Sequence, residues 1–232
     1  MTDVIAVLEA LGSFIVGAVG RAGVALLAGF ALAAPALAFA IVVHALRRRR
    51  DRTLARASGV AWRRSNWYAP NHTWLAARRN GELAVGLDDF GQRLLPSASS
   101  VELPRVGMEV GKGDPIVVVR AGGHVVRIGA PIAGTVRRVN ARVRRDPSLL
   151  KRDPYGGGWL FTVVPGENGY MKFPREDQAE AWFAAEQRRL SRFVEHELGL
   201  AAADGGDLVA PAPALLGEEG WKKVLAAFLH AC

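Results

Sequence analysis

The sequence predicts a small, mainly β domain, a barrel or sandwich, with flanking helices and one membrane-crossing helix ahead of it. Three observations carry that expectation. Between residues 66 and 165, short apolar runs (83–87, 100–103, 115–119, 125–128, 134–139 and 158–164) are punctuated by Gly and Pro, the spacing of short strands joined by tight turns. Residues 22–46 are 25 consecutive residues without a charge; at about 1.5 Å rise per residue they exceed the roughly 30 Å hydrocarbon core of a bilayer. Beyond residue 174, apolar side chains recur at helical spacing.

Taken in order, residues 1–21 place Val4, Ile5, Leu8, Leu11, Ile15 and Val16 on one face of a helix. This helix either lies in the membrane interface or extends the following span. Residues 22–46 form the expected transmembrane helix, with Pro35 in mid-span and small residues suited to close helix packing. The apolar stretch is too long for a secretory signal core and ends in Arg47-Arg48-Arg49-Arg50, which points to an uncleaved anchor. Eight arginines fall between residues 47 and 64 against Asp51, so +7 of the net +8 sits there. The high pI is therefore a juxtamembrane property, not a nucleic-acid signature. The positive-inside rule puts the following domain in the cytoplasm, anchored once in the inner membrane. Arg47, Arg48, Arg49, Arg50 and Arg52 are candidate contacts for anionic lipid headgroups. The Arg-rich segment spans 47–65, and its residues 47–61 are expected to continue the helix.

The β domain is placed at 66–173, with one internal helical pattern at 87–95. An amphipathic helix follows at 174–199, with Glu176 and Asp177 at its start and Trp182, Phe183, Leu190, Phe193 and Val194 as its apolar stripe. Residues 200–217 are rich in Ala, Gly and Pro and read as a linker. In the last segment, 218–232, Trp221, Val224, Leu225, Phe228 and Leu229 fall at i, i+3, i+4, i+7 and i+8. A helix this short needs something to pack on. The stripe is assigned to docking on a partner; its own domain and the membrane surface are the alternatives.

At the centre of the β domain, residues 117–119 and 125–128 flank Ala121-Gly122-Gly123. Two glycines between β-branched runs signal a tight hairpin. The neighbouring motifs resemble those of the H-protein of the glycine cleavage system. Asn71-His72-Thr73-Trp74 is similar to its opening His-Glu-Trp motif, and Val85-Gly86-Leu87-Asp88-Asp89 to its Val-Gly-Ile-Thr-Asp segment. Val101-Glu102-Leu103-Pro104 and Ala130-Pro131-Ile132-Ala133-Gly134 follow its Val-Glu-Leu-Pro and Ser-Pro-Val-Ser-Gly patterns. Asp153-Pro154-Tyr155-Gly156-Gly157-Gly158-Trp159 resembles its C-terminal signature. The resemblance implies a lipoyl-like barrel-sandwich hybrid of two small sheets. It also implies a lipoyl-lysine at the hairpin tip, within Glu-Ser-x-Lys. By spacing, that lysine falls on Gly123, flanked by Gly122 and His124; the Glu falls on Arg120 and the Ser on Ala121. No lysine lies between Lys112 and Lys151, so the resemblance brings the fold without an amine for the arm.

Other chemistry finds little footing. His44, His72, His124, His196 and His230 are scattered, and Cys232 is the one cysteine, so no metal-ligand spacing arises. His44 is read as snorkelling at the end of the span, and His124 as an exposed turn residue. The 156–158 glycines follow no strand–loop–helix pattern. The expectation is a non-enzymatic, cofactor-free accessory subunit that recruits or braces other subunits of a membrane complex, such as a redox complex, with neither nucleic acid nor a small-molecule substrate. A carrier with an attachment point such as Lys112, or a transporter adaptor, are the alternatives.

Overall fold

The computed structural model describes residues 37–39, 41, 54–57, 59–198 and 213–230. The expected helix at 1–21, the candidate lipid contacts Arg47–Arg50 and Arg52, and His44 lie outside the described residues. Of the expected span, residues 37–39 and 41 are helical, with exposed Leu37, Phe39 and Ile41 side chains. Among the described residues no helix is long and apolar enough to cross a membrane. The chain divides into two compact units, Met1–Arg52 and Thr53–Cys232.

The second unit is mainly β, with helices at its flank. It opens on an antiparallel hairpin, β1 (Leu54–Ala57) and β2 (Val60–Arg63). This corrects the expected helical continuation through residue 61. Val60 and Trp62 alternate inward and are completely buried, and Gly59 turns the chain at φ 83°. Alternation with a glycine turn specifies a strand pair, and the arginines around it masked that period. Two sheets follow. The larger has the order β3 (Trp67–Tyr68), β4 (Thr73–Ala77), β5 (Leu83–Leu87), β11 (Trp159–Pro165), β10 (Gly134–Val139), β7 (Glu109–Val110). The smaller joins β6 (Ala98–Glu102), β8 (Pro115–Ala121) and β9 (His124–Gly129). Val117, Val119, Val126 and Ile128 from the small sheet and Val85, Leu160 and Val163 from the large one are buried in a common core.

The short helix expected at 87–95 is α1, Asp89–Arg93, capped by Asp88, whose carboxylate accepts from the Gly91 amide at 2.7 Å. Two further short helices, α2 (Ala141–Arg145) and α3 (Leu149–Arg152), had no counterpart in the sequence reading. Asn140 specifies the first: its side chain accepts from Arg142 N and donates to Gly157 O and Trp159 O. Each of these helices is too short to leave a helical apolar stripe. The long amphipathic helix is α4, Asp177–Leu198. The last, α5 (Pro213–Leu229), is broken at Gly217 (φ 66°, ψ 171°), so its continuous part begins at Glu218.

Here the structure corrects the assignment of the terminal stripe. Trp221, Val224, Leu225, Phe228 and Leu229 are 0–6% exposed and belong to the chain's own core. A helical stripe in a sequence shows that one face must be covered; it carries no information on what covers it.

Candidate functional site

The hairpin between β8 and β9 closes on Gly122 (φ 59°) and Gly123 (φ 83°), with Ala121 paired to His124. Two successive left-handed residues make the hairpin turn whose twist matches the flanking strands, and glycine adopts it without steric cost. The two positions differ in surroundings. A Cβ on Gly123 would meet open space; one on Gly122 would meet Pro96 Cγ at 2.9 Å. The tip itself offers no amine, hydroxyl or carboxylate, since Gly122 and Gly123 carry no side chain. Lys112, the alternative attachment point, lies in the exposed turn before β8, its ammonium 5.9 Å from the Phe173 ring centroid. The seven residues of β8, at about 3.3 Å each, put roughly 20 Å between that turn and the tip.

Helix α5 lies against the tip. The His124 and Trp221 rings are 4.6 Å apart, so His124 is half-buried against the helix and not a free turn residue. The buried Trp221 indole donates to Leu94 O at 2.9 Å, the carbonyl that ends α1. Gly91 of α1 lets the elements close: a Cβ there would meet His72 Cβ at 2.7 Å and Leu229 Cδ2 at 3.1 Å. The site therefore brings together Gly122, Gly123 and His124 with Trp221, which the sequence placed in separate roles.

Behind the tip lies a polar chain that the sequence reading missed. His72 is completely buried and adopts φ 54°. Its ring stacks on Phe90 at 4.2 Å, with Trp182 at 5.0 Å and Phe228 at 6.4 Å. Nδ1 is 3.0 Å from the buried Asp88 carboxylate, and Nε2 faces Glu186 of α4 at 3.6 Å. Glu186 pairs with Arg189 at 2.9 Å. Arg189 in turn donates to Ala227 O at 2.9 Å and sits 4.4 Å from the Phe228 centroid. The links run from the cap of α1, through β4's approach, to the last turn of α5. Burial alone would push the His72 imidazole below its usual range; the two facing carboxylates, Asp88 first, outweigh it and hold the imidazole above that range. Asp88 is also raised, because its burial outweighs the pull of His72. Both shifts favour a proton on the pair, since losing it would leave a net negative charge in an apolar pocket. Burial would raise the Glu186 carboxyl, but His72 and then Arg189 hold it below its usual range. Neither Asp88, 16 positions beyond His72, nor Glu186, 114 positions beyond it, is marked in the sequence as its partner.

Among the described residues no group of three His, Cys, Asp or Glu side chains is placed to hold a metal ion. A lipoyl group needs an amine at the tip, and the residues there do not supply one.

The architecture and the tip can now be set beside known proteins. The family profile described as "Glycine cleavage H-protein" matches residues 66–185. The glycine cleavage system H protein of Aeromonas hydrophila is 38% identical over 104 residues, covering 45% of this chain and 81% of that protein. The Thermus thermophilus protein of the same description is 36% identical over 106 residues, covering 46% of this chain and 82% of that one. A crystal structure of a glycine cleavage system H protein from Mycobacterium marinum aligns with 53% of this chain and 99% of its own, at 28% identity and a TM-score of 0.47. The profile stops one residue short of Glu186, so Glu186, Arg189 and all of α5 are additions to the matched segment. With the profile spanning just over half of this chain and the relatives matched over about four-fifths of their length, the chain belongs to the glycine cleavage H-protein family.

Proposed function

We propose that this chain is a non-catalytic, membrane-anchored accessory subunit, whose H-protein-like domain carries no lipoyl group and recruits or braces the subunits of a membrane complex from the cytoplasmic face. The observation that carries the proposal is the tip: Gly122 and Gly123 close it, and no lysine lies between Lys112 and Lys151. Lipoylation forms an amide on a side-chain amine, so the position that bears the family's chemistry has no atom to acylate. The uncharged residues 22–46 and the arginines that follow supply the anchor and its orientation. Without an arm, what the domain retains is a folded surface held at the membrane. That surface excludes the five side chains of the α5 stripe, which the chain has already buried.

Two measurements test this. The intact mass of the chain from its native source should equal the mass of the unmodified sequence; a mass increased by one lipoyl amide, mapped to Lys112 or elsewhere, overturns the non-carrier reading. Purification in mild detergent should retain stoichiometric partner subunits. A clean monomer under those conditions overturns the accessory role.

A further inference from the structure

We propose that the segment 137–152 is a second membrane-facing surface, seating the folded domain against anionic lipid headgroups. The inference rests on the membrane anchoring proposed above. Seven bases (Arg137, Arg138, Arg142, Arg144, Arg145, Lys151 and Arg152) fall in these sixteen residues against one acid, Asp146. Elsewhere in residues 65–198, acids outnumber bases fourteen to twelve. The positive charge of the folded domain is therefore concentrated at one place.

The charge is also unspent. Arg138 is held by Glu82 at 2.7 Å and Arg152 by Asp146 at 2.7 Å. Arg137, Arg142, Arg144, Arg145 and Lys151 are exposed, and none pairs with a carboxylate among the described residues. The fold holds them outward on fixed backbone. Val143 anchors α2 with no exposure, so the arginines on either side of it point away from the core. Leu149 and Leu150 bury the inner face of α3. A rigid, unneutralised cluster costs self-repulsion, which an anionic surface relieves.

The position in the fold favours lipid over another acidic partner. The Arg-rich run enters the second unit at β1–β2. Helix α1 packs on β2 and on α3. Asp89 of α1 accepts from Ala61 N at 2.8 Å, and Tyr155, three residues past α3, donates to Ala61 O at 2.8 Å. The basic segment thus shares, through α1 and Tyr155, the packing of β2, one strand of the hairpin that opens this unit.

The test uses the full chain in lipid discs of phosphatidylcholine, with or without phosphatidylglycerol, each containing a nickel-chelating lipid. A nitroxide is placed at Ser148→Cys in a Cys232→Ser background, with Arg188→Cys on α4 as a control site. The label at 148 should gain contact with headgroup nickel in anionic discs and lose it in high salt, while the control does not. Substituting Arg142, Arg144 and Arg145 together by Gln should lower the docked-to-free ratio on the order of a hundredfold, with an unchanged circular dichroism spectrum. Equal nickel contact in neutral and anionic discs overturns the proposal. So does a triple variant that keeps its lipid response, or one that loses a co-purifying protein without any difference between discs. Flotation with neutral vesicles reads the anchor separately: a chain that fails to float removes the anchoring, whereas one that floats but shows no anionic response removes only this surface.

Discussion

The β framework and the helical cover in this unit are built on different principles. In the framework, β8, β9, β5 and β11 bury β-branched and aromatic side chains in a common apolar core, and burial carries most of the stability. In the cover, α5 follows residues 199–212, which lie outside the described residues, and packs against α1 and the His124 flank of the tip. It is fixed by one indole, by an apolar stripe, and by a polar chain that needs a buried proton. The family profile spans the framework and ends before the cover. The comparison teaches that the helix packed at the flank of the tip is a layer distinct from the strands that form the tip. Framework and cover then have separate weak points, and substitutions can pull them apart.

The largest separation comes from Trp221. Replacing it with Ala removes a completely buried indole and leaves Leu94 O without its donor. A large-to-small change of this kind costs about 3–5 kcal/mol, and the orphaned carbonyl adds to it. The cost falls on the cover. Hydrogen exchange in Trp221→Ala should therefore show residues 218–229 losing protection while β8 and β11 keep theirs. Simultaneous loss in all three segments would show that framework and cover are one cooperative unit.

Next in size is the pH response. The folded-state proton shared by His72 and Asp88 is held more tightly than by an unfolded histidine, so its contribution is full below pH 6.5, the ordinary histidine value, and declines as pH rises through the higher folded value. The depressed Glu186 acts in the opposite sense: its contribution is present above pH 4.5 and is lost as pH falls through its folded value. Urea midpoints measured against pH should show stability falling on the alkaline side of this window. Glu186→Gln leaves the shape of α4 intact and removes one of the two carboxylates facing His72. It should move the alkaline loss to lower pH and reduce stability near neutrality by about 1–2 kcal/mol. A pH profile identical to wild type would exclude Glu186 as a partner of the imidazole. Arg189→Met tests the outer end of the same chain. Arg189 is partly exposed, so the lost Ala227 link and ring contact should cost about 1 kcal/mol, seen first as faster exchange in the last turn of α5.

How much of this was written in the sequence depends on the range of the signal. The Gly122–Gly123 turn and the motifs from Asn71 to Trp159 are local, and they gave the mainly β H-protein-like fold. The strand pair β1–β2 was hidden because eight of the eleven residues 54–64 are Ala, Ser, Gly or Arg, in which a period of two is hard to see. Helices α2 and α3 are a single turn or little more, and no hydrophobic period fits in that length. Asn140, whose side chain accepts from Arg142 N, is what starts α2. The polar chain was illegible for another reason. His72, Asp88 and Glu186 come from three parts of the fold, and a histidine between Asn71 and Thr73 gives no hint of a carboxylate brought to it by a later helix. The terminal stripe was visible as a stripe; its partner was Leu94 and His124, more than ninety positions away.

The smallest effects lie at the tip, where they discriminate most finely between strand framework and cover. Gly122 and Gly123 both have positive φ, so replacing either by Ala incurs the left-handed penalty of roughly 1 kcal/mol. Only Gly122 adds a clash, with Pro96 Cγ 2.9 Å from the new Cβ; Pro96 belongs to the segment leading from α1 into β6. Gly122→Ala should therefore be the more damaging of the two, by about a further 1 kcal/mol, and should loosen α1 and Trp221 along with the turn. Gly123→Lys meets open space and should cost no more than Gly123→Ala, because the added side chain extends into solvent. Thermal midpoints of the three variants give the ranking directly. If Gly123→Lys proves the worst of the three, the tip is more enclosed than its geometry indicates, and α5 then covers the attachment position itself as well as its flank.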